Sequence, residues 1–153
     1  MRLPKLLFSA VLCCVLSAVC GMTQVSGKPA LMKQINETIA KVLSDETIDG
    51  RTEAAERLAS LTMKIKSTEV TEALVTNITS LLNSPDDSVR YWVAMALGNL
   101  GPAAKAAVPK LMEMLPKADC INGTITSASG IRYALIKMGI KPPPPPKCGR
   151  IVG

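Results

Sequence analysis

The feature that most constrains this chain is that it repeats. Displaced by 39 residues, Leu43–Leu61 falls on Leu82–Leu100 without a gap. Leu43 then meets Leu82, Arg51 meets Arg90, Ala55 meets Ala94, Leu58 meets Leu97 and Leu61 meets Leu100. Upstream, Ile35, Ile39 and Val42 meet Leu74, Ile78 and Leu81 in the same register. A third copy is looser: Ala107, Leu111, Met114 and Leu115 repeat Leu74, Ile78, Leu81 and Leu82. After an insertion, Ala134, Leu135, Met138 and Gly139 repeat Ala96, Leu97, Leu100 and Gly101. One unit of just under ~40 residues with two helical segments cannot bury its apolar face alone, so copies must stack as an α-solenoid.

The central copy is the clearest. Pro85-Asp86-Asp87 is turn chemistry, since proline presets φ and aspartate bonds its own backbone. Asp86, Asp87 or Ser88 can cap the helix that follows. Val89, Trp92, Val93, Ala96, Leu97 and Leu100 form a helical stripe, and Gly101-Pro102 ends it. Tyr91, Ala94, Met95 and Gly98 flank the stripe, leaving only Arg90 and Asn99 plainly polar. A helix apolar nearly all round is covered on several sides.

These residues resemble a known family. Pro85-Asp86-Asp87-Ser88-Val89-Arg90, with Ala94, Ala96-Leu97 and Leu100-Gly101, is similar to the second helix of a HEAT repeat. Leu74, Ile78, Leu81 and Leu82 look like its first helix. The resemblance runs from Lys28 to Gly139. It implies an all-α, armadillo-type superhelix of about three HEAT-like helix pairs, over about 29–63, 68–100 and 103–139. It makes Asp86, Asp87, Val89, Arg90, Leu97, Gly101 and Arg51 signature residues of structural role. The outer copies depart from the pattern: Gly50 stands where the family favours valine, and Ala128 where it favours arginine. End repeats face water and act as caps.

Taken in order, the expected helices are Pro29–Leu43, Arg51–Met63, Thr68–Leu82, Ser88–Leu100, Ala103–Leu115 and Ser127–Met138. Leu31, Ile35, Ile39, Val42 and Leu43 should share the buried face of the first, and Ser67-Thr68-Glu69 should cap the third. Pro109 moves the strict start of the fifth to near Val108.

The two ends read differently. Residues 1–20, MRLPKLLFSAVLCCVLSAVC, have a basic start, an apolar run from Leu6 to about Val19 and no acid, the pattern of a secretory signal peptide. Cleavage is expected near 20/21, or alternatively near 27/28. The run is short of the ~20 residues that span a bilayer, so no membrane span is expected after its removal. The alternative is an envelope-attached lipoprotein acylated at Cys20. Loss of the leader takes two of the 18 basic residues and none of the 12 acidic ones, leaving a charge of +4. It also leaves two cysteines, Cys120 and Cys148. In an exported chain such a pair is expected to bond. The bond would staple the proline-rich tail, residues 140–153, across the third repeat and contribute ~3 kcal/mol. The rival, a metal site or nucleophilic thiol, lacks any histidine or further cysteine. Pro142–Pro146 is a stiff polyproline II strut, or a ligand for a proline-binding groove.

Arg51 and Arg90 are expected to order the turns through Asp49 and Asp87, the alternative being anion contacts, and Trp92, on the apolar stripe, to sit in the core, the alternative being an exposed binding anchor. Lys105, Lys110, Lys117, Lys137, Lys141 and Lys147 make the C-terminal third basic, which suits an acidic partner or an anionic membrane surface. Without interleaved aromatics, nucleic acid is not expected. Three N-x-Ser/Thr sequons make Asn122, Asn36 and Asn77 candidate glycosylation sites, Asn122 foremost. With no histidine in the chain, His-based acid–base, Ser–His, Cys–His and His-metal chemistry is excluded. No phosphate loop or paired-carboxylate pattern stands in its place, so no catalytic residue, metal or cofactor is assigned. Some HEAT-like proteins are chromophore lyases of phycobilisomes, which leaves an enzyme as the minor alternative. The expectation is a secreted or periplasmic, non-catalytic module that binds a protein partner; the alternative localisation is a membrane-anchored lipoprotein.

Overall fold

A computed structural model describes residues 27–121 and 126–146. The leader, Asn122 and Cys148 therefore lie outside the described residues, as does Lys147. Among the described residues there is no strand. Six α-helices follow one another: α1 (Gly27–Ser44), α2 (Ile48–Thr62), α3 (Glu72–Ser80), α4 (Asp87–Leu100), α5 (Val108–Ala118) and α6 (Ser127–Lys137). They fall into three successive pairs. The second helices stand side by side in the order α2, α4, α6, and the first helices form the other layer. Pro109 sits in the first turn of α5, and Gly101, at φ +60°, ends α4.

The expected periodicity places the core between the layers. Ile35, Leu58, Ile78, Leu82, Leu97, Leu111 and Ile131 are all fully enclosed, as is Val89. α4 lies in the middle, packed against α6 on one side and α2 on the other. That position is the reason its sequence is apolar nearly all round. The approach to α6 is close. A methyl group on Gly130 would lie 2.7 Å from the carbonyl oxygen of Tyr91, and one on Gly98 would lie 2.6 Å from the ring of Tyr133.

Several expectations are corrected. Leu43 is 68% exposed, whereas its copy Leu82 is 1% exposed. Leu43 lines an open hollow together with Arg51, Ser80, Leu81, Asn83 and Pro85, and these leave it uncovered. Leu82 instead shares its surroundings with Met114 and Ala118. Ser67–Glu69 forms a separate 3-10 turn, and Thr71 caps α3 through a bond from the Leu74 amide (3.2 Å). Trp92 is half-buried, not core: Val89, Val93, Ala96 and Leu97 fill the interior side of the helix, and the tryptophan lies at its margin.

Gly50 also has a reason. The Asp45 carboxylate accepts from the Thr47 amide and hydroxyl at the mouth of α2, and a Cβ on Gly50 would displace it from those bonds. These bonds hold the Asp45 carboxyl below its usual pKa.

The packing yields a test in which two effects have opposite sign. Alanine is favoured over glycine in a free helix by ~1 kcal/mol. At Gly130 the new methyl meets backbone that cannot swing aside, and overpacking of this kind costs ~1–3 kcal/mol. Gly130→Ala should therefore lower the melting temperature, and a raised one would show that α4 and α6 do not touch there.

Candidate interaction surface

Two rows of polar contacts cross the second-helix layer. The first runs along the edge where each first helix turns into its second. Arg51 of α2 reaches forward to Asp86, with Nε at 2.8 Å and Nη2 at 2.7 Å, and donates to the Asp45 carbonyl at 2.9 Å. The expected partner, Asp49, is two residues back on the helix, and residues at that spacing do not face each other. Asp86 occupies the N-cap position of α4, yet caps nothing with its side chain, because the carboxylate is turned to Arg51.

Its neighbour Asp87 works in the other direction. The carboxylate accepts from the Ser127 amide (3.0 Å) and the Ser127 hydroxyl, so it caps α6 from another repeat. The first turn of α6 has no acid of its own, and a carboxylate there is favoured by the helix dipole. Arg90, three residues on, donates to Asp87 at 2.9 Å and to the Ser84 and Pro85 carbonyls at 2.7 Å each. Burial pushes the Asp87 carboxyl up, but the two bonds from Ser127 and the one from Arg90 outweigh it and hold it below the usual carboxylate range.

The third repeat replaces its missing arginine with another. Ala128 stands at the signature position, and Arg132 takes over. It pairs with both oxygens of Asp119 (3.1 and 2.6 Å) and donates to the Pro143 carbonyl at 2.7 Å, holding the proline segment against the last repeat. Cys120, next to Asp119, is disulfide-bonded.

The second row lies on the outer face of the helices. The Thr52 and Ser88 hydroxyls share a bond of 2.9 Å between α2 and α4. Asn99 donates to the Ala59 carbonyl at 2.8 Å and accepts from the Tyr133 hydroxyl at 3.0 Å, joining all three second helices. Asn99 was visible in the sequence as a polar residue on an apolar helix; Tyr133 and Arg132 carried no such signal.

Ser88, Trp92, Met95 and Asn99, spaced by four, three and four, form the side of α4 turned away from the first helices. Tyr91 stacks edge-on against Trp92, with ring centres 4.9 Å apart. The matching positions of α2 carry Glu53, which also borders a hollow shared with α1, and Glu56, and those of α6 carry Tyr133 with the Lys137 ammonium 5.5 Å from its ring centre. All three aromatic residues among the described residues thus lie on or beside this face. Its charge runs from acidic at α2, through apolar at α4, to basic at α6.

The remaining candidates are scattered. Asn36 and Asn77 are exposed on α1 and α3, and the hydroxyls of their sequon threonines, Thr38 and Thr79, bond back to the helix carbonyls of Gln34 and Val75. The lysines do not form one patch: Lys105, Lys110 and Lys117 lie in the first-helix half of the third repeat, Lys137 and Lys141 at its end. Among the described residues no group of three or more acidic, cysteine or histidine side chains could hold a metal ion. Among them, too, no helix is long and apolar enough to cross a membrane.

A family model described as HEAT repeats matches residues 35–120. Searches of curated proteins and of solved structures each return no match.

Asp87 gives a pH test. Its folded pKa is depressed, so its stabilisation is complete above the unfolded value of ~3.9 and is lost as pH falls through the lower folded value. Asp87→Asn should be less stable at pH 7 by ~1–3 kcal/mol, the cost of stranding a buried partner. As pH falls below ~4 the gap to the parent should narrow. A gap that stays constant would disconnect Asp87 from the acid limb.

Proposed function

Because the chain belongs to the HEAT-repeat family, we propose that it is an exported, non-catalytic protein-interaction module that takes its partner on the outer face of α2, α4 and α6. HEAT repeats are interaction scaffolds, and that much follows from membership. The observation that carries the choice of face is Trp92. The core proper contains no aromatic side chain, and Trp92 stands half-buried at its edge, with Tyr91 and Met95 beside it at the centre of the graded surface. Tryptophan and tyrosine surrounded by polar residues are the usual anchors of a protein interface.

Export rests on residues 1–20, and the Cys120–Cys148 bond is the matching expectation for an oxidising compartment. The bond would fix the proline tail that Arg132 already holds. The rival, a lipoprotein acylated at Cys20, is separated by intact mass. A chain beginning near Gly21, with no thiol open to alkylation, supports a free module; a diacylglyceryl mass on Cys20 supports attachment to a membrane.

The binding face is tested by Trp92→Ala. A half-buried side chain should cost less stability than the ~3–5 kcal/mol of a core tryptophan. Affinity for the captured partner should fall by about 2 kcal/mol or more, ~30-fold. A large loss of stability with unchanged affinity would make Trp92 a packing residue and move the site elsewhere.

A further inference from the structure

The edge where first helices turn into second helices carries a feature that the second-helix face does not explain. Between the α3–α4 turn and the third repeat lies a hollow of ≈ 350 Å³. Its apolar lining is Leu82, Met114, Ala118 and Ile121, and its cations are Arg90, Lys110 and Lys117, against one carboxylate, Glu113. We propose that this hollow is a second recognition site, which takes an apolar side chain flanked by carboxylates from an acidic, extended segment of a partner protein.

Size selects the form of the occupant. The volume is at the small end of the ~300–1,000 Å³ typical of ligand sites. An α-helix with its side chains is ~10–12 Å across and would not seat in it. One or two side chains of an extended strand would. Ile121 is 39% exposed beside the disulfide-bonded Cys120, so an apolar group is held at the rim and left open to solvent.

Charge selects the chemistry. Arg90 is fixed by three bonds, to Ser84, Pro85 and Asp87, so its position needs no reorganisation when an anion arrives. Arg90 and Asp87 largely neutralise each other, as do Lys110 and Glu113, so the unbalanced positive charge at the rim is that of Lys117. Lys110 is paired at 3.2 Å with Glu113 and is 31% exposed, which leaves it reachable from outside. Lys117 is exposed and makes no ion pair among the described residues. Asn83 and Ser84 on the wall offer polar groups to a peptide backbone. An apolar floor with a cationic rim favours an anionic, apolar-anchored segment over a neutral or basic one.

The test is amide-shift mapping by NMR on the intact, oxidised protein, titrated with three short peptides. One alternates leucine with aspartate; the others replace aspartate with asparagine or lysine. The acidic peptide should bind, shifting amides of Asn83–Arg90, Lys117–Ile121 and Ser127 but leaving Met95 and Asn99 unmoved. Its affinity should fall as salt rises. Lys117→Glu, at an exposed position that leaves the fold intact, should weaken it at least ~5-fold, the equivalent of one well-placed ion pair. Ile121→Ser should weaken it independently. Equal binding of all three peptides, no binding at millimolar peptide, or shifts centred on Trp92 and Met95 would each overturn the proposal. Because Trp92 lies outside the hollow, failure here leaves the reading of the second-helix face intact, and the reverse also holds.

Discussion

Two adjacent aspartates bind in opposite directions, and the rest of the structure depends on that division. Asp86 takes Arg51 from the repeat before, and Asp87 takes the first amide and hydroxyl of α6 from the repeat after. Neither carboxylate caps the amides at the start of its own helix. Exposed ion pairs alone contribute ~0–1 kcal/mol. These are partly buried, directed by several donors each, and placed where a helix start would otherwise lack partners, which raises the cost of losing any one of them. The effect is registry. Apolar faces of alanine, valine and leucine would tolerate sliding, and the aspartates allow one alignment of α2, α4 and α6.

Close approach does the rest. Ala94 and Gly98 face α6 from α4, and Ala55 and Ala59 hold the same positions on α2. On α6 those positions are Arg132 and Ile136. Two large side chains there would hold off a further second helix at the same spacing. Arg132 turns instead to Asp119 and to the proline segment, and Ile136 is left 62% exposed. The Pro143 carbonyl accepts from Arg132, and the φ angles of the proline segment are already restricted, so little freedom is lost in holding it there.

Much of this was legible beforehand, for identifiable reasons. The 39-residue period and the all-round apolar character of Val89–Leu100 are properties of spacing, and spacing survives folding. Pro109 and Gly101 mark their helix ends because the backbone allows little else. What escaped was set by neighbours. Leu43 and Leu82 are identical in pattern, and Leu82 is covered where Met114 and Ala118 of the third repeat lie beside it. Arg51 has Asp49 two residues away in sequence, yet helix geometry turns it toward Asp86 from the next turn. Trp92 reads as core by its place in the stripe, and its bulk keeps it at the margin. The cap on α6 could be inferred only as a deficit, since its first turn has no acid and something had to replace one.

The central claim is that α4, stitched to both neighbours, is the last element to open, while α3, short and bounded by 3-10 turns on either side, opens early. Native-state hydrogen exchange measures this directly. Amides of Val93–Leu100 should exchange only through global unfolding, with the start of α6 close behind, and those of Val75–Ser80 through smaller openings. Protection in α3 equal to or above that in α4 would contradict it.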